Sequence, residues 1–188
     1  MMPITWWIVV GAWAAFLIYW IYSSFSVKRT VRRNWALFYI RVVVIIAAVW
    51  YVGTYKPAPG QVYVPEAAMN PVLGMIGAAL AVIGVAYAIY ARYYLGRNWG
   101  MPMAVKEQPE LVTTGPYATV RHPIYTGVIL AILGSTLTGG WWWLVVFVIS
   151  TAYFIYAAMR EEKEMAKTFP DTYPAYKART KMLIPYVF

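Results

Sequence analysis

Three stretches of the chain, residues 5–25, 35–55 and 71–95, stay predominantly apolar over about 20 residues, the length a helix needs to cross the hydrocarbon core of a bilayer. Such segments fold as helices in lipid, because each backbone N–H and C=O there must find its partner within the segment. Two more follow: residues 124–138 form a shorter apolar run and 141–159 a full-length one. Only Gly139 and Gly140 separate them, which predicts a helical hairpin of antiparallel neighbours. The expected fold is an all-α integral membrane protein of about five transmembrane helices. It forms one domain, 1–188, with three helices in 1–95 and a half rich in polar motifs in 96–188. Composition agrees: 62% of the 188 residues are hydrophobic and 12% charged, against roughly 25% charged in soluble domains. Met1 to Thr5 carries no basic side chain and the run behind it is of spanning length, so the N-terminus reads as a spanning helix rather than a cleavable signal.

The net charge of +9 raises the possibility of nucleic acid, but the positions of the cations answer it. Lys28, Arg29, Arg32 and Arg33 follow the first segment. Arg97, Lys106 and Arg121 follow the third, and Arg160, Lys163, Lys167, Lys177, Arg179 and Lys181 follow the fifth. With five crossings all three groups fall on one side, leaving Lys56 on the other. The positive-inside rule then puts the N-terminus outside and the C-terminus in the cytoplasm, with a prokaryotic inner membrane as the expected setting and no nucleic-acid partner. Cysteine is absent, which excludes disulfides and thiolate catalysis, and the single histidine, His122, cannot build a metal centre alone. No glycine-rich nucleotide loop is present.

Chemistry on a water-soluble cosubstrate therefore belongs to the two cytoplasmic segments, 96–123 and 160–188. The first holds five Pro or Gly breakers between Pro102 and Pro123 and predicts a structured loop. In the second, residues 160–169 extend the fifth helix past the membrane, and Pro170 and Pro174 end it. The polar run from Gly115 to Tyr125 brings Tyr117, Arg121, His122 and Tyr125 to the entry of the fourth helix, with Pro123 suited to its first turn. The ordinary reading is interfacial: Arg121 snorkels, His122 caps the helix and the tyrosines join the aromatic belt. Against it, the hairpin brings the entry of the fourth helix near the exit of the fifth, so that His122 and Glu161 face a common mouth. A carboxylate there suits a ligand with hydroxyls and a positive centre, or a salt bridge to Arg121. Glu164 is expected to face solvent or headgroups. Gly74, Gly77, Ala81 and Gly84 form a small-residue stripe that serves helix packing. Arg41, two turns into the second segment, is a charge at costly depth.

Leu111 to Tyr117, Arg121 to Gly127, Glu161-Glu162, Phe169, Tyr173, Tyr176 and Ile184-Pro185 together resemble the isoprenylcysteine carboxyl methyltransferase family, whose wider group includes phospholipid methyltransferases. The resemblance covers about the last 90 residues. It implies a membrane methyltransferase that uses S-adenosylmethionine, releases S-adenosylhomocysteine and acts on a small lipophilic acceptor. It also implies cofactor contacts at Leu111, Val112, Tyr117, His122, Pro123, Ile124, Tyr125 and Glu161, with His122, Tyr125 and Glu161 as the catalytic candidates. In eukaryotic members an arginine linked to the acceptor's carboxylate precedes that glutamate by four residues; here the position is Ala157. Arg41 and Arg92 are the substitutes by depth. A phospholipid, amine or thiol acceptor is the alternative substrate. A membrane NADPH-dependent reductase and a non-enzymatic membrane scaffold are the competing classes.

Overall fold

The computed structural model describes residues 2–28, 30–32, 70–100, 105–108, 110–139 and 142–188, so the second apolar segment and Arg41 lie outside the described residues. The other segments are helices: α1 (Ile4–Ser24), α2 (Pro71–Leu95), α3 (Pro123–Gly139) and α4 (Trp142–Thr168), with a short α5 (Tyr173–Arg179) after them. Three spans, Ile4–Ser24, Pro71–Asn98 and Trp143–Thr168, are long and apolar enough to cross a membrane, while α3 has 17 residues. Local chemistry sets the ends of α2. The Asn70 side chain accepts a hydrogen bond from the Leu73 N–H, Pro71 takes the first turn, and Gly96 closes the helix at φ +53. A short antiparallel pair, β1 (Thr30–Arg32) with β2 (Val105–Lys106), is an addition that the apolar pattern does not anticipate.

The helices pack through small residues. Gly77 and Gly84 of α2 meet Gly134 and Gly127 of α3 in antiparallel register. A Cβ on Gly84 would lie 2.5 Å from the Gly127 carbonyl oxygen, and one on Gly77 2.6 Å from that of Gly134. Lipid tails are as apolar as side chains, so association in a bilayer depends on such close backbone approach. α1 runs parallel to α2. Val9 is buried with Ala78 and Ala81 near the first ends of both helices, and the Arg92 Nη2 donates to the Ser23 carbonyl at the other end, 2.8 Å away. Trp13 Nε1 ties α1 to α3 by donating to Ser135 Oγ at 3.0 Å. The expected α3–α4 hairpin forms, with Tyr125, Ala157, Ala158 and Leu183 packed together.

The C-terminal segment departs from expectation. Pro170 does follow the end of α4, but Pro174 sits in the first turn of α5 instead of ending helical structure. The chain then pairs with the loop before α3: Arg121 N–H donates to the Lys181 carbonyl (2.8 Å), His122 N–H to that of Met182 (3.1 Å), and Lys181 N–H to that of Thr119 (3.1 Å). This backbone clamp holds the polar run against the bundle end where α1 and α2 finish and α3 begins.

Candidate active site

His122 precedes α3, and its carbonyl accepts the first helical bond, from Thr126 N–H at 3.1 Å. Pro123 takes the opening position, fully buried, where its missing N–H leaves nothing unpaired. Tyr125 follows His122 by three positions, which puts both on one helical face. Their rings lie parallel, centroids 5.4 Å apart and planes 5° off. The Tyr125 hydroxyl donates to Glu161 Oε1 at 2.7 Å, and His122 Nδ1 stands 3.5 Å from Glu161 Oε2. The three catalytic candidates therefore form one cluster, carried by α3 and by the end of α4 beyond Met159.

Beside it lies an ion network. The Arg121 Nε donates to Glu162 Oε1 at 2.6 Å, and Lys177 Nζ of α5 reaches Glu162 Oε2 at 2.8 Å. Arg121 Nη1 also donates to the carbonyls of Thr180 and Lys177. Arg121 thus pairs with the second glutamate of the pair, leaving Glu161 to Tyr125 and His122. Glu162 is only 4% exposed, and a buried carboxylate persists only with such partners. Burial pushes its carboxyl upward, but the neighbouring His122 imidazole together with the contacts from Lys177 and Arg121 wins and holds it at about 2. Burial pulls His122 down, yet Glu161 and Glu162 outweigh it and raise the imidazole above its ordinary value. Burial is the largest cause that raises the phenol of Tyr117 well past the usual range and that of Tyr176 to about 12, with Arg92 opposing it at the first and Arg121 and Arg179 at the second. Tyr176 donates to the Tyr117 carbonyl at 2.8 Å and fixes that turn.

These groups open on a cavity of about 430 Å³, within the size range of small-molecule sites. Leu111, Val112, Tyr117, His122, Ile124, Tyr125 and Glu161 all line it, and Pro123 stays behind the wall. Among the described lining residues, the carboxylates of Glu110, Glu161 and Glu164 face it, Glu110 paired with Lys28 at 2.7 Å, and the guanidinium is that of Arg121, bound to Glu162. Glu164 stays partly exposed, as the sequence reading expects, and also reaches the cavity rim three positions past Glu161, pairing there with Lys167 at 3.1 Å. Arg92 is not among the lining residues. It is 2% exposed, donates to the Gly96 and Ser23 carbonyls and stacks over Trp99 at 4.8 Å. Ala157 is fully buried in the α3–α4 contact. Sequence reasoning misses Phe16, Trp20 and Trp99, which also line the cavity. Phe16 and Trp20 share a face four residues apart, a signal that in a spanning helix reads equally as lipid contact.

S-adenosylmethionine combines an adenosine, a sulfonium and an amino acid, and the donor set here can be matched to each. Trp99 and Tyr173 place aromatic rings in the lining for a base, Leu111, Val112 and Ile124 an apolar bed, and the carboxylates an attraction for positive charge. His122 Nε2 is buried without a hydrogen bond, 3.7 Å from Glu162 Oε1, and so has a donor or acceptor to spare. The residues present fit such a group.

A family model for phospholipid methyltransferases matches residues 72–172, more than half the chain, from the start of α2 to the residue before α5. A cobalt-zinc-cadmium resistance protein of Cupriavidus metallidurans is 33% identical over 115 residues, 60% of this chain and 48% of that protein. A methanethiol S-methyltransferase of Bradyrhizobium diazoefficiens is 37% identical over 79 residues, 42% and 27% of the two chains. The protein-S-isoprenylcysteine O-methyltransferase of Schizosaccharomyces pombe is 30% identical over 96 residues, 49% and 41%. The aligned region spans about half or less of each of these relatives. With the family match covering three of the described helices and the whole Tyr117–Glu162 cluster, the chain belongs to the phospholipid methyltransferase family of membrane methyltransferases.

Proposed function

We propose that the protein transfers a methyl group from S-adenosylmethionine to a small lipophilic acceptor that carries no free carboxylate, a thiol above all. The observation that carries this reading is the Tyr125–Glu161–His122 cluster at the wall of an aromatic cavity whose charges are mostly acidic. When bound, S-adenosylmethionine supplies an electrophilic methyl on a positively charged sulfur and leaves as S-adenosylhomocysteine. Tyr117, His122 and Glu161 would hold it, with Leu111, Val112 and Ile124 as the apolar bed and Pro123 fixing where α3 begins.

The chain's own contribution is orientation, exclusion of water and proton removal. In-line displacement depends on holding the two reactants aligned, and a dry wall of Tyr117, Ile124 and Tyr125 keeps water from competing. A thiol or amine must also lose a proton, and Glu161 is an acceptor within the cluster, oriented by the Tyr125 hydroxyl. An acceptor bearing a carboxylate meets Glu110, Glu161 and Glu164 with no unpaired cation among the described lining residues. Ala157 has no room for a compensating guanidinium, since an arginine there would have to displace Tyr125 and Leu183. The relatives named methanethiol S-methyltransferase support the thiol choice.

The test is steady-state methyl transfer from labelled S-adenosylmethionine to alkanethiols, to farnesylcysteine and to a farnesylcysteine analogue without the carboxylate. The expected order places thiols first and farnesylcysteine last. Efficient methyl-ester formation on farnesylcysteine contradicts the acceptor assignment.

A further inference from the structure

We infer that Phe16 and Trp20 of α1 set the length of the apolar chain that the acceptor carries, a specificity role that rests on the methyl-transfer reading above. The lining residues differ in depth along the helices. Glu161, His122 and Glu164 line the cavity where the helices leave the membrane-spanning bundle. Phe16, Val128 and Phe154 line it from positions further along their helices, with Trp20 one turn from Phe16 toward the end of α1. Phe16 lies eight residues before the end of α1, which is about 12 Å along a helix, and Val128 lies five residues into α3, about 7 Å along. The deeper part of the lining is therefore apolar and reaches hydrocarbon depth. Tyr125 marks the boundary between the two parts. Its hydroxyl is held by Glu161 while its ring packs on Phe154 at 4.8 Å.

The α1 wall is a packed aromatic ladder. Phe16 and Trp20 stack with centroids 4.1 Å apart, and Trp20 meets Trp99 edge-on at 6.0 Å. Trp13 continues the ladder against Phe16 at 5.4 Å and is pinned to Ser135. An acceptor whose reactive atom sits by Tyr125 and Glu161 has its chain pointing at this wall, so the wall decides how many methylenes fit. α1 lies outside residues 72–172, the part of the chain that the family model matches.

Two measurements on the full chain in nanodiscs test the inference. In the first, labelled methyl transfer to straight-chain thiols of increasing length is compared in wild type, Phe16→Ala and Trp20→Ala. The preferred length should increase in both variants, with the long-to-short ratio of kcat/KM rising about fourfold for each further methylene accommodated. In the second, the absence of native cysteine lets Phe16→Cys and Leu17→Cys carry one thiol each, and maleimide labelling is followed with and without alkyl methyl sulfides, the product class. Sulfides should slow labelling at position 16 and not at Leu17, which is 57% exposed on another face. An unchanged length profile, or labelling at position 16 that sulfides leave unaltered, overturns the role of the wall. If no thiol is methylated by wild type while sulfides still protect position 16, the proposed reaction fails and the wall stands.

Discussion

At the residue scale, adjacent glutamates do different work. Glu161 faces the cavity, and its loss or that of His122 leaves a buried partner unsatisfied, worth roughly 1–3 kcal/mol or about tenfold or more in affinity. Glu161→Ala and His122→Ala should therefore weaken S-adenosylhomocysteine binding by at least that factor in calorimetry. Lys163→Ala is the matched control, because Lys163 is exposed whereas Glu164 lines the cavity. Unaltered affinity in both variants would return these residues to interfacial roles. Glu162 is structural: removing it strands Arg121 and Lys177, so Glu162→Ala should cost about 3–5 kcal/mol in detergent unfolding. Its pH sign follows from a folded value of about 2 against an ordinary 4.5. The stability that it contributes is present above pH 4.5 and disappears as pH falls toward 2. His122 is raised above 6.5, so its contribution is complete below 6.5 and is lost as pH rises through the folded value. Glu162→Gln should flatten the acid edge and His122→Gln the alkaline one. The existence of the mouth was legible in sequence because the hairpin joins His122 to Glu161. Which glutamate Arg121 takes was not, since neighbours on a helix differ by about 100° and only tertiary packing chooses.

At the scale of elements, α2 shows what sequence specifies well. An Asn-Pro start, a spanning apolar run and a terminal glycine each act locally, and the helix falls on the expected residues 71–95. The glycine stripe is equally readable, because close approach demands small residues and Gly84 meets Gly127 as that rule requires. Gly84→Ala should lower stability by about 1–3 kcal/mol through forced separation of α2 and α3. Gly11→Ala, with open space around its Cβ, should be neutral or slightly stabilising through helix propensity. Equal effects in thermal unfolding would mean that the α2–α3 contact is not the critical one. Less legible was α5. Pro174 reads as a breaker in isolation, but in a first turn it is harmless, and the tail's pairing with residues 119–122 comes from segments about 60 residues apart in sequence. The aromatic face of α1 was ambiguous for a different reason: Phe16 and Trp20 are the side chains that a lipid-facing helix also uses.

At the scale of the whole molecule, the described cations Lys28, Arg97, Arg121 and Lys177 gather at the end that carries the cavity, and the positive-inside rule predicts that this end faces the cytoplasm. In a chain without native cysteine, Asn70→Cys should then react with an impermeant thiol reagent from outside intact cells, and Ala178→Cys only after permeabilisation. Reaction of both from one side would reject the topology. On the proposed function, this arrangement would give a soluble cosubstrate and a lipophilic acceptor access to one cavity from different phases. The central claim is that the cavity takes S-adenosylmethionine, and equilibrium binding of S-adenosylmethionine and of NADPH to the purified wild-type protein tests it most directly. The account predicts saturable binding of S-adenosylmethionine, displaced by S-adenosylhomocysteine and weakened in Glu161→Ala, with no competition from NADPH. Saturable NADPH binding in its place, or S-adenosylmethionine binding indifferent to Glu161 and His122, would contradict it.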